Sequence, residues 1–205
     1  MTDKAHPPAL EAARLTYRYG RAAALNDISL VLPPGRVYGL LGKNGAGKTT
    51  LLNLASAAMR VKSGELKIFG RSPYENGKAL SRVCFVREKS MFPAGAKVCH
   101  ILAAAKTAFP LWDQALAQKL MEAFGLDEGK RFKQLSRGME SSLGLVIGMA
   151  SRAPLTMFDE PNLGLDAYAR EMFYEHLRRD MRERPRTFVL STHLIDEGSD
   201  LFDDA

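Results

Sequence analysis

Apolar and polar residues alternate in three stretches of the first third of the chain. Residues 13–19, 28–32 and 65–69 place apolar side chains at alternate positions, and the second stretch runs into the turn Pro33-Pro34-Gly35. A period of two is typical of strands that bury only one face. The pattern therefore predicts a small antiparallel sheet in this part of the chain.

Four other short runs are almost wholly apolar, at residues 37–41, 83–86, 155–158 and 187–190. Such runs are typical of strands that are buried on both faces of a parallel sheet. The run at residues 83–86 in particular predicts a central strand. Together with the helical patterns between the runs, they predict an α/β fold with a mainly parallel sheet beside the antiparallel one.

Apolar residues recur with the spacing of one helix face over most of residues 89–150 and again at about residues 167–183. Asp113 and Ser136 stand where each side chain can cap the N-terminus of a helix. Residues 1–9 are polar and contain prolines, which predicts a flexible N-terminus. The length of 205 residues suits one large domain, or one domain with a subdomain inserted at about residues 89–150.

A glycine-rich loop lies between a strand and a helix and fits the pattern G-x-x-x-x-G-K-[ST]. Its glycines allow backbone N–H groups to face one point, where a helix N-terminus adds positive potential. Lys48 would reach the β- and γ-phosphates of a nucleotide, and Thr49 would bind Mg²⁺. The alternative is a glycine-rich turn that binds nothing. The candidate nucleotide-binding residues are Gly42, Asn44, Gly45, Ala46, Gly47, Lys48, Thr49 and Thr50.

Two carboxylates, Asp159 and Glu160, follow the apolar run at residues 155–158. Ligands of open α/β sheets bind at the carboxyl ends of the strands, so this position suits a site. Asp159 is the candidate for holding Mg²⁺, and Glu160 is the candidate for orienting or deprotonating the attacking water. An isolated Asp-Glu pair is more often a surface or capping pair, but the upstream loop favours the chemical interpretation.

Four further segments give the sequence a family resemblance. Leu135-Ser136-Arg137-Gly138-Met139 resembles the LSGGQ signature of ATP-binding cassette (ABC) proteins, and residues 159–166 resemble their joined Walker B motif and D-loop. Ser191-Thr192-His193 resembles the switch-histidine segment. Tyr19-Gly20, followed by residues 24–30, is similar to the opening of the family, where an aromatic side chain stacks on adenine. The resemblance extends from about Leu10 to Glu197.

The resemblance implies a P-loop NTPase core with a mainly parallel sheet, an N-terminal antiparallel β subdomain and an inserted α-helical subdomain. The family normally continues beyond the point at which this sequence stops, so we expect a single ABC ATPase domain over residues 1–205 that is shortened at its C-terminus. It also implies ATP and Mg²⁺ as the bound groups.

Residue roles follow from the same resemblance. Two cassettes of this family close head to tail over two ATP molecules, so Ser136 and Gly138 would contact the nucleotide of a second ABC ATPase subunit. Glu160 and His193 would be catalytic, with His193 contacting the γ-phosphate, unless His193 is a capping or core histidine. Tyr19 would stack on adenine, with Tyr17 as its competitor.

Three departures from the family pattern bear on function. Arg137 and Met139 replace the usual glycine and glutamine of the signature, and Glu88 is the best candidate for a position that normally holds a metal-facing glutamine. The alternative for Glu88 is a surface glutamate in a charged cluster. With residues 110–113, these departures resemble cassettes paired with simple bacterial ABC-2-type exporters.

Composition restricts the partners and the location. The net charge is +6, but the basic residues are scattered, and the arginines concentrated at positions 178–186 fit a solvated helix face, so we expect no nucleic acid as a partner. The sequence lacks an apolar run of membrane-spanning length and a signal-peptide pattern. Its two cysteines do not form a disulfide framework. We expect a cytoplasmic protein, peripheral at the inner face of the cell membrane.

The resulting functional hypothesis is an ATP-hydrolysing subunit that energises a membrane ABC transporter, of exporter type, together with a transmembrane permease subunit. The alternative is a soluble ABC-type ATPase that acts as an ATP-gated switch in translation or chromosome maintenance. A P-loop kinase would not explain Ser136, Asp166 and His193 at their positions.

Overall fold

The computed structural model describes residues 6–89, 92–193, 202 and 203. Seven strands and six α-helices follow one another in the described part of the chain, with a short 3₁₀ helix at Phe132–Gln134. In chain order they are β1 (Leu10–Tyr19), β2 (Ala22–Leu32), β3 (Val37–Leu41), α1 (Lys48–Ala55), β4 (Ser63–Ile68), α2 (Gly77–Leu80), β5 (Val83–Val86), α3 (Val98–Ala108), α4 (Gln114–Ala123), α5 (Arg137–Ala150), β6 (Leu155–Asp159), α6 (Ala167–Glu183) and β7 (Thr187–Thr192).

The three alternating stretches form the predicted antiparallel sheet, in the order β2-β1-β4. On β1 the buried residues are Leu10, Ala12 and Leu15. Leu10 and Ala12 follow a period of two, and a register shift between Ala12 and Leu15 changes the phase, so that Ala13 is exposed. Ala9 departs from the flexible end expected for residues 1–9, because it is fully buried. Its N–H donates to the carbonyl of Leu32 at 2.8 Å, which ties the segment to the sheet. Residues 1–5 lie outside the described part of the chain.

The four apolar runs form a parallel sheet in the order β3-β7-β6-β5. The prediction that β5 is a central strand is wrong, since β5 ends this order among the described strands. Its apolar residues are buried by a helix instead. A Cβ atom added at Gly148 of α5 would lie 2.4 Å from the Phe158 ring and 3.0 Å from Val86, so α5 packs directly on β5 and β6.

Apolar clusters cover both faces of the parallel sheet. On one face Phe158 and Phe188 pack with Phe173 of α6, and the Phe158 and Phe173 ring centroids are 5.3 Å apart. On the other face Met157 and Leu52 of α1 belong to a cluster shared with the antiparallel sheet. The fold is therefore the predicted α/β arrangement, a parallel sheet between helices with an antiparallel sheet beside it.

Helix boundaries agree with the capping residues of the sequence. Asp113 accepts a hydrogen bond from the N–H of Leu116 at 2.9 Å, and Ser136 accepts one from the N–H of Met139 at 3.2 Å. Both caps satisfy N–H groups that lack partners within the helix. No helix among those the structure describes combines the length and apolar character needed to cross a membrane.

Arg186 overturns part of the prediction that the arginines at positions 178–186 form a solvated helix face. Its guanidinium is buried and donates from Nε to Oδ2 of Asp180 at 2.8 Å and from one terminal nitrogen to the carbonyl of Met149 at 2.9 Å. Arg152 joins this cluster through Asp180 and through Asp113, where the nitrogen–oxygen distance is 2.9 Å. Burial lowers the pKa of Arg186 to about 9, so it remains charged at neutral pH.

We predict that Asp180→Asn destabilises the fold, because it leaves Arg186 and Arg152 buried beside a neutral amide. Removing one partner of a buried ion pair costs about 3–5 kcal/mol. Urea unfolding followed by circular dichroism measures the change. Glu183→Gln is the matched control, since its exposed pair with Arg179 contributes little. Equal stability of the two variants would show that the buried cluster does not stabilise the fold.

Candidate nucleotide-binding site

Three parallel strands bring the candidate residues to one edge of the sheet. Leu41 of β3 lies opposite Thr192 of β7, and Asp159 of β6 lies opposite Ser191. The glycine-rich loop follows β3, so it starts beside the C-terminal ends of β6 and β7, where their polar residues lie. The sheet register therefore assembles segments that are more than 100 residues apart in the sequence.

The loop at residues 42–49 has the open conformation that its glycines permit. Gly45 and Gly47 have φ angles of 83° and 92°, in the left-handed region that favours glycine. A Cβ atom at Gly47 would lie 2.3 Å from the carbonyl oxygen of Ala24, so the position cannot hold a side chain without movement. Within the described residues no side chain caps α1, so its first N–H groups are available to an anion.

A cavity of about 350 Å³ lies over this loop. Lys48 is buried at its floor, where Nζ donates to the carbonyl of Gly42 at 2.5 Å and lies 3.4 Å from Oε1 of Glu160. Gly42 does not line the cavity itself. The candidate residues that do line it are Tyr19, Asn44, Gly45, Ala46, Gly47, Lys48, Thr49, Thr50, Glu88 and Glu160.

Asp159 joins the loop to the sheet through two hydroxyl groups. The Thr49 hydroxyl donates to Oδ2 of Asp159 at 2.8 Å, and the Ser191 hydroxyl donates to Oδ1 at 2.5 Å. Sequence reasoning gave Ser191 no role, although a serine at the end of a strand neighbouring Asp159 was a usable signal. Its contact makes Ser191 part of the site.

The donor set at Asp159 fits Mg²⁺. Among the described residues there is no cluster of three or more histidine, cysteine, aspartate and glutamate side chains that could hold a metal alone. Mg²⁺ is usually bound by one or two carboxylates together with water and substrate phosphates, and it favours oxygen ligands. Thr49 and Asp159 supply a hydroxyl and a carboxylate already in contact, beside a cavity that can admit phosphates.

Glu160 is held in an unusual backbone conformation. Its φ angle is 50°, which is uncommon for a residue with a side chain and costs of order 1–3 kcal/mol. Its N–H donates to both the carbonyl and the hydroxyl oxygen of Ser191, each at 3.1 Å. These two bonds fix the direction in which the carboxylate leaves the chain.

The two oxygens of Glu160 have different surroundings. Oε2 lies 2.9 Å from Nδ1 of His193, which places the predicted switch histidine beside the predicted base. Oε1 is buried and accepts no hydrogen bond within the described part of the chain, although Lys48 is at ion-pair distance. A buried acceptor without a donor normally requires a partner such as water. This oxygen is therefore open to a water molecule in the cavity.

Tyr19, rather than Tyr17, faces the cavity. Tyr19 is 53% exposed, which leaves room for a planar group to stack on its ring. The Tyr19 hydroxyl lies 3.3 Å from Sδ of Met59, and the Tyr17 ring packs edge-on against it with centroids 5.1 Å apart. Ala22, Ala23 and Ala24 line the same end of the cavity and were not identified from the sequence.

Ser136 and Gly138 do not line this cavity. Ser136 is exposed at the N-terminus of α5. A Cβ atom at Gly138 would lie 2.5 Å from the carbonyl oxygen of Gly164, and the Ser141 hydroxyl donates to the carbonyl of Leu163 at 2.6 Å. The start of α5 therefore packs on the loop that follows Glu160, and it presents Ser136 outward.

Glu88 lies two residues after β5 and lines the cavity with an exposed side chain. It shares the cavity wall with Thr49, which contacts Asp159. The structure thus brings Glu88 to the same cavity as Thr49, whereas Asp159 lies behind Thr49 and does not line the cavity.

Comparison with known proteins shows what this arrangement resembles. The chain is 27% identical to the ABC transporter ATP-binding protein YtrB of Bacillus subtilis, over 92% of this chain and 64% of that protein. It is 28% identical to the Nod factor export ATP-binding protein I of Rhizobium johnstonii, over 96% of this chain and 65% of that protein. It is 31% identical to a spermidine/putrescine import ATP-binding protein, PotA, of Pseudomonas aeruginosa, over 95% of this chain and 54% of that protein.

A solved structure described as the ATP-binding subunit of an ABC transporter has the same fold, with a TM-score of 0.85. The match is 24% identical and covers 95% of this chain and 83% of that one. The YtrB, Nod factor export and PotA proteins are longer, and this chain spans less than two thirds of the length of each. The family model described as "ABC transporter" matches residues 25–163 of the 205, and this chain therefore belongs to the ABC transporter family of ATP-binding domains, a family of ATPases.

Proposed function

We propose that this chain binds and hydrolyses ATP as the energy-supplying subunit of a membrane ABC transporter. The observation that carries the proposal is the single cavity lined by the open glycine loop, Lys48, Thr49 and Glu160, with Asp159 bonded to Thr49 behind it. Family membership supports the same reaction, because these are the groups that phosphoryl transfer to water requires.

Different residues of the chain bind different parts of the nucleotide. Loop N–H groups at residues 44–49 and the Lys48 ammonium bind the β- and γ-phosphates, and Tyr19 stacks on the base beside Ala22. Thr49, Asp159 and Glu88 hold Mg²⁺, with Gly42 fixing Lys48 from behind. When bound, Mg²⁺ neutralises negative charge on the phosphates.

Hydrolysis uses Oε1 of Glu160, which accepts no hydrogen bond within the described residues. Oε1 accepts a proton from a water molecule as the water oxygen attacks the γ-phosphorus, and the bond from that phosphorus to the β–γ bridging oxygen breaks to give ADP and phosphate. His193 orients Glu160 through Oε2 and contacts the γ-phosphate. Lys48 lies 3.4 Å from Oε1 of Glu160, so the ammonium and the carboxylate face the same part of the cavity.

We propose that Ser136 and Gly138 contact the nucleotide of a second ABC ATPase subunit, and that this subunit is a copy of this chain rather than a different cassette. Support comes from their outward position at the start of α5, away from the chain's own cavity. The helix N-terminus there suits an anion such as the partner's γ-phosphate. Residues 1–205 form one domain in this proposal, with the helical subdomain at about residues 89–150.

The proposal also includes the direction of transport. The names of the relatives include both an export protein and an import protein, so relatedness alone leaves the direction open. We favour export with a transmembrane permease, because Arg137, Met139 and residues 110–113 resemble cassettes of ABC-2-type exporters. The chain would then work at the inner face of the cell membrane.

Replacing Glu160 tests the chemistry. We expect Glu160→Gln to bind ATP normally but to hydrolyse it roughly 10²-fold more slowly, because the general base is lost. Lys48→Ala should weaken ATP binding instead. Phosphate release and binding of a fluorescent ATP analogue are measured for both, with Glu171→Gln on α6 as the control. Wild-type turnover by Glu160→Gln would remove Glu160 from the mechanism.

Replacing Ser136 tests the second subunit. In the Glu160→Gln background, ATP and Mg²⁺ should convert monomers to dimers in analytical ultracentrifugation, and Ser136→Arg should prevent this by filling the anion site. Ser72→Arg, at an exposed serine of the antiparallel subdomain, should dimerise normally. Thermal unfolding separates this effect from the loss of the α5 cap, which costs about 1 kcal/mol. Dimers that form equally well with Ser136→Arg would contradict the shared site.

Replacing Glu88 tests the third metal ligand. Glu88→Ala should raise the Mg²⁺ concentration needed for half-maximal ATPase activity several-fold, while ATP binding without metal changes little. Glu88→Gln keeps an oxygen ligand and should shift the Mg²⁺ requirement less. An unchanged Mg²⁺ dependence in Glu88→Ala would identify Glu88 as a surface glutamate with no metal-binding role.

A further inference from the structure

A second cavity, of about 460 Å³, lies at the opposite ends of the parallel strands. Its wall includes Arg82, Arg152, Arg184 and Arg186 together with the apolar side chains of Phe69 and Leu111, and we call it the arginine cavity. It also contacts Thr187, the first residue of β7, whereas the nucleotide cavity lies beyond the last residues of β6 and β7. A strand of five to six residues separates the two by roughly 15–20 Å.

The arginine cavity is cationic. Four arginines line it, and no aspartate or glutamate is among its lining residues. Arg152 and Arg186 are paired with Asp180 behind the wall, and Arg184 is loosely paired with Asp113 at 3.9 Å. These carboxylates neutralise only part of the charge. A net positive potential therefore remains inside the cavity.

Arg82 contributes one positive charge that no carboxylate among the described residues neutralises. The residue is partly buried, and its guanidinium Cζ lies 3.6 Å from the centre of the Phe69 ring. Within the described residues it contacts no carboxylate and donates no hydrogen bond. Burial and the neighbouring charge of Arg71 both lower the pKa of Arg82, although an arginine remains protonated at neutral pH. The N–H donors of Arg82 are therefore available to an acceptor in the cavity.

The remainder of the wall is apolar. Leu111 lines the cavity and is 60% exposed, and the Phe69 ring lies against the Arg82 guanidinium. A volume of about 460 Å³ falls within the range of small-molecule sites, about 300–1,000 Å³. Such sites combine apolar walls with a few polar groups that fix orientation.

We propose that the arginine cavity binds a small organic anion, with a carboxylate head group on an apolar body. The planar N–H fork of Arg82 matches the two oxygens of a carboxylate, and Arg184 at the rim adds a second cation. Phe69 and Leu111 contact the apolar body. An anion in this position also relieves the repulsion between Arg82 and Arg71. Because the nucleotide cavity is at the other end of the strands, both sites can be occupied together.

Calorimetric titration with 2-naphthoate tests the proposal, and the uncharged 2-naphthamide is the matched ligand. Titrations are done with and without saturating ADP and Mg²⁺. We expect 2-naphthoate to bind at least tenfold more tightly than the amide, with the same affinity in the presence of ADP. Equal binding of acid and amide would overturn the proposal, and so would displacement of naphthoate by ADP, which would assign the probe to the nucleotide cavity.

Variants identify the site. Arg82→Gln should weaken naphthoate binding about tenfold, and Leu111→Glu, at an exposed position that tolerates substitution, should abolish it by placing a carboxylate at the rim. Arg178→Gln, on the exposed surface of α6, is the matched control and should leave the affinity within twofold. Unchanged affinity in both Arg82→Gln and Leu111→Glu would show that the probe binds elsewhere. None of these outcomes depends on ATP hydrolysis, so the nucleotide site is tested separately.

Discussion

The carboxylate of Asp159 is the point on which the nucleotide site depends. It is buried, and each of its oxygens accepts a hydrogen bond from a hydroxyl group, one from Thr49 at the start of α1 and one from Ser191 near the end of β7. A buried carboxylate needs such partners. The same bonds therefore satisfy the carboxylate and fix the glycine loop and two strands relative to one another.

The parallel sheet explains why both cavities exist. All its strands point the same way, so their carboxyl ends gather at one edge and their amino ends at the other. Polar groups placed at either edge are close in space although distant in sequence. At the carboxyl edge these groups are Asp159, Glu160 and Ser191, and at the amino edge they are Arg82 and Arg186.

Local features of the fold were predictable from the sequence because local residues determine them. Strand periodicity, the glycine loop and the caps Asp113 and Ser136 all depend on neighbours within a few positions. Arg186 was placed wrongly, since its burial depends on Asp180 and on the carbonyl of Met149, which periodicity does not show. The edge position of β5 depends on strand order, which the pattern of one strand cannot reveal.

The nucleotide site shows the same division. The loop and the Asp159-Glu160 pair are contiguous motifs, whereas the choice between Tyr17 and Tyr19 depends on an irregular register of β1 against β2 after Tyr17.

The left-handed backbone at Glu160 has a further consequence for protein engineering. Glycine or asparagine adopts that conformation at lower cost, so selection for thermostability alone would favour them at this position and would discard the carboxylate.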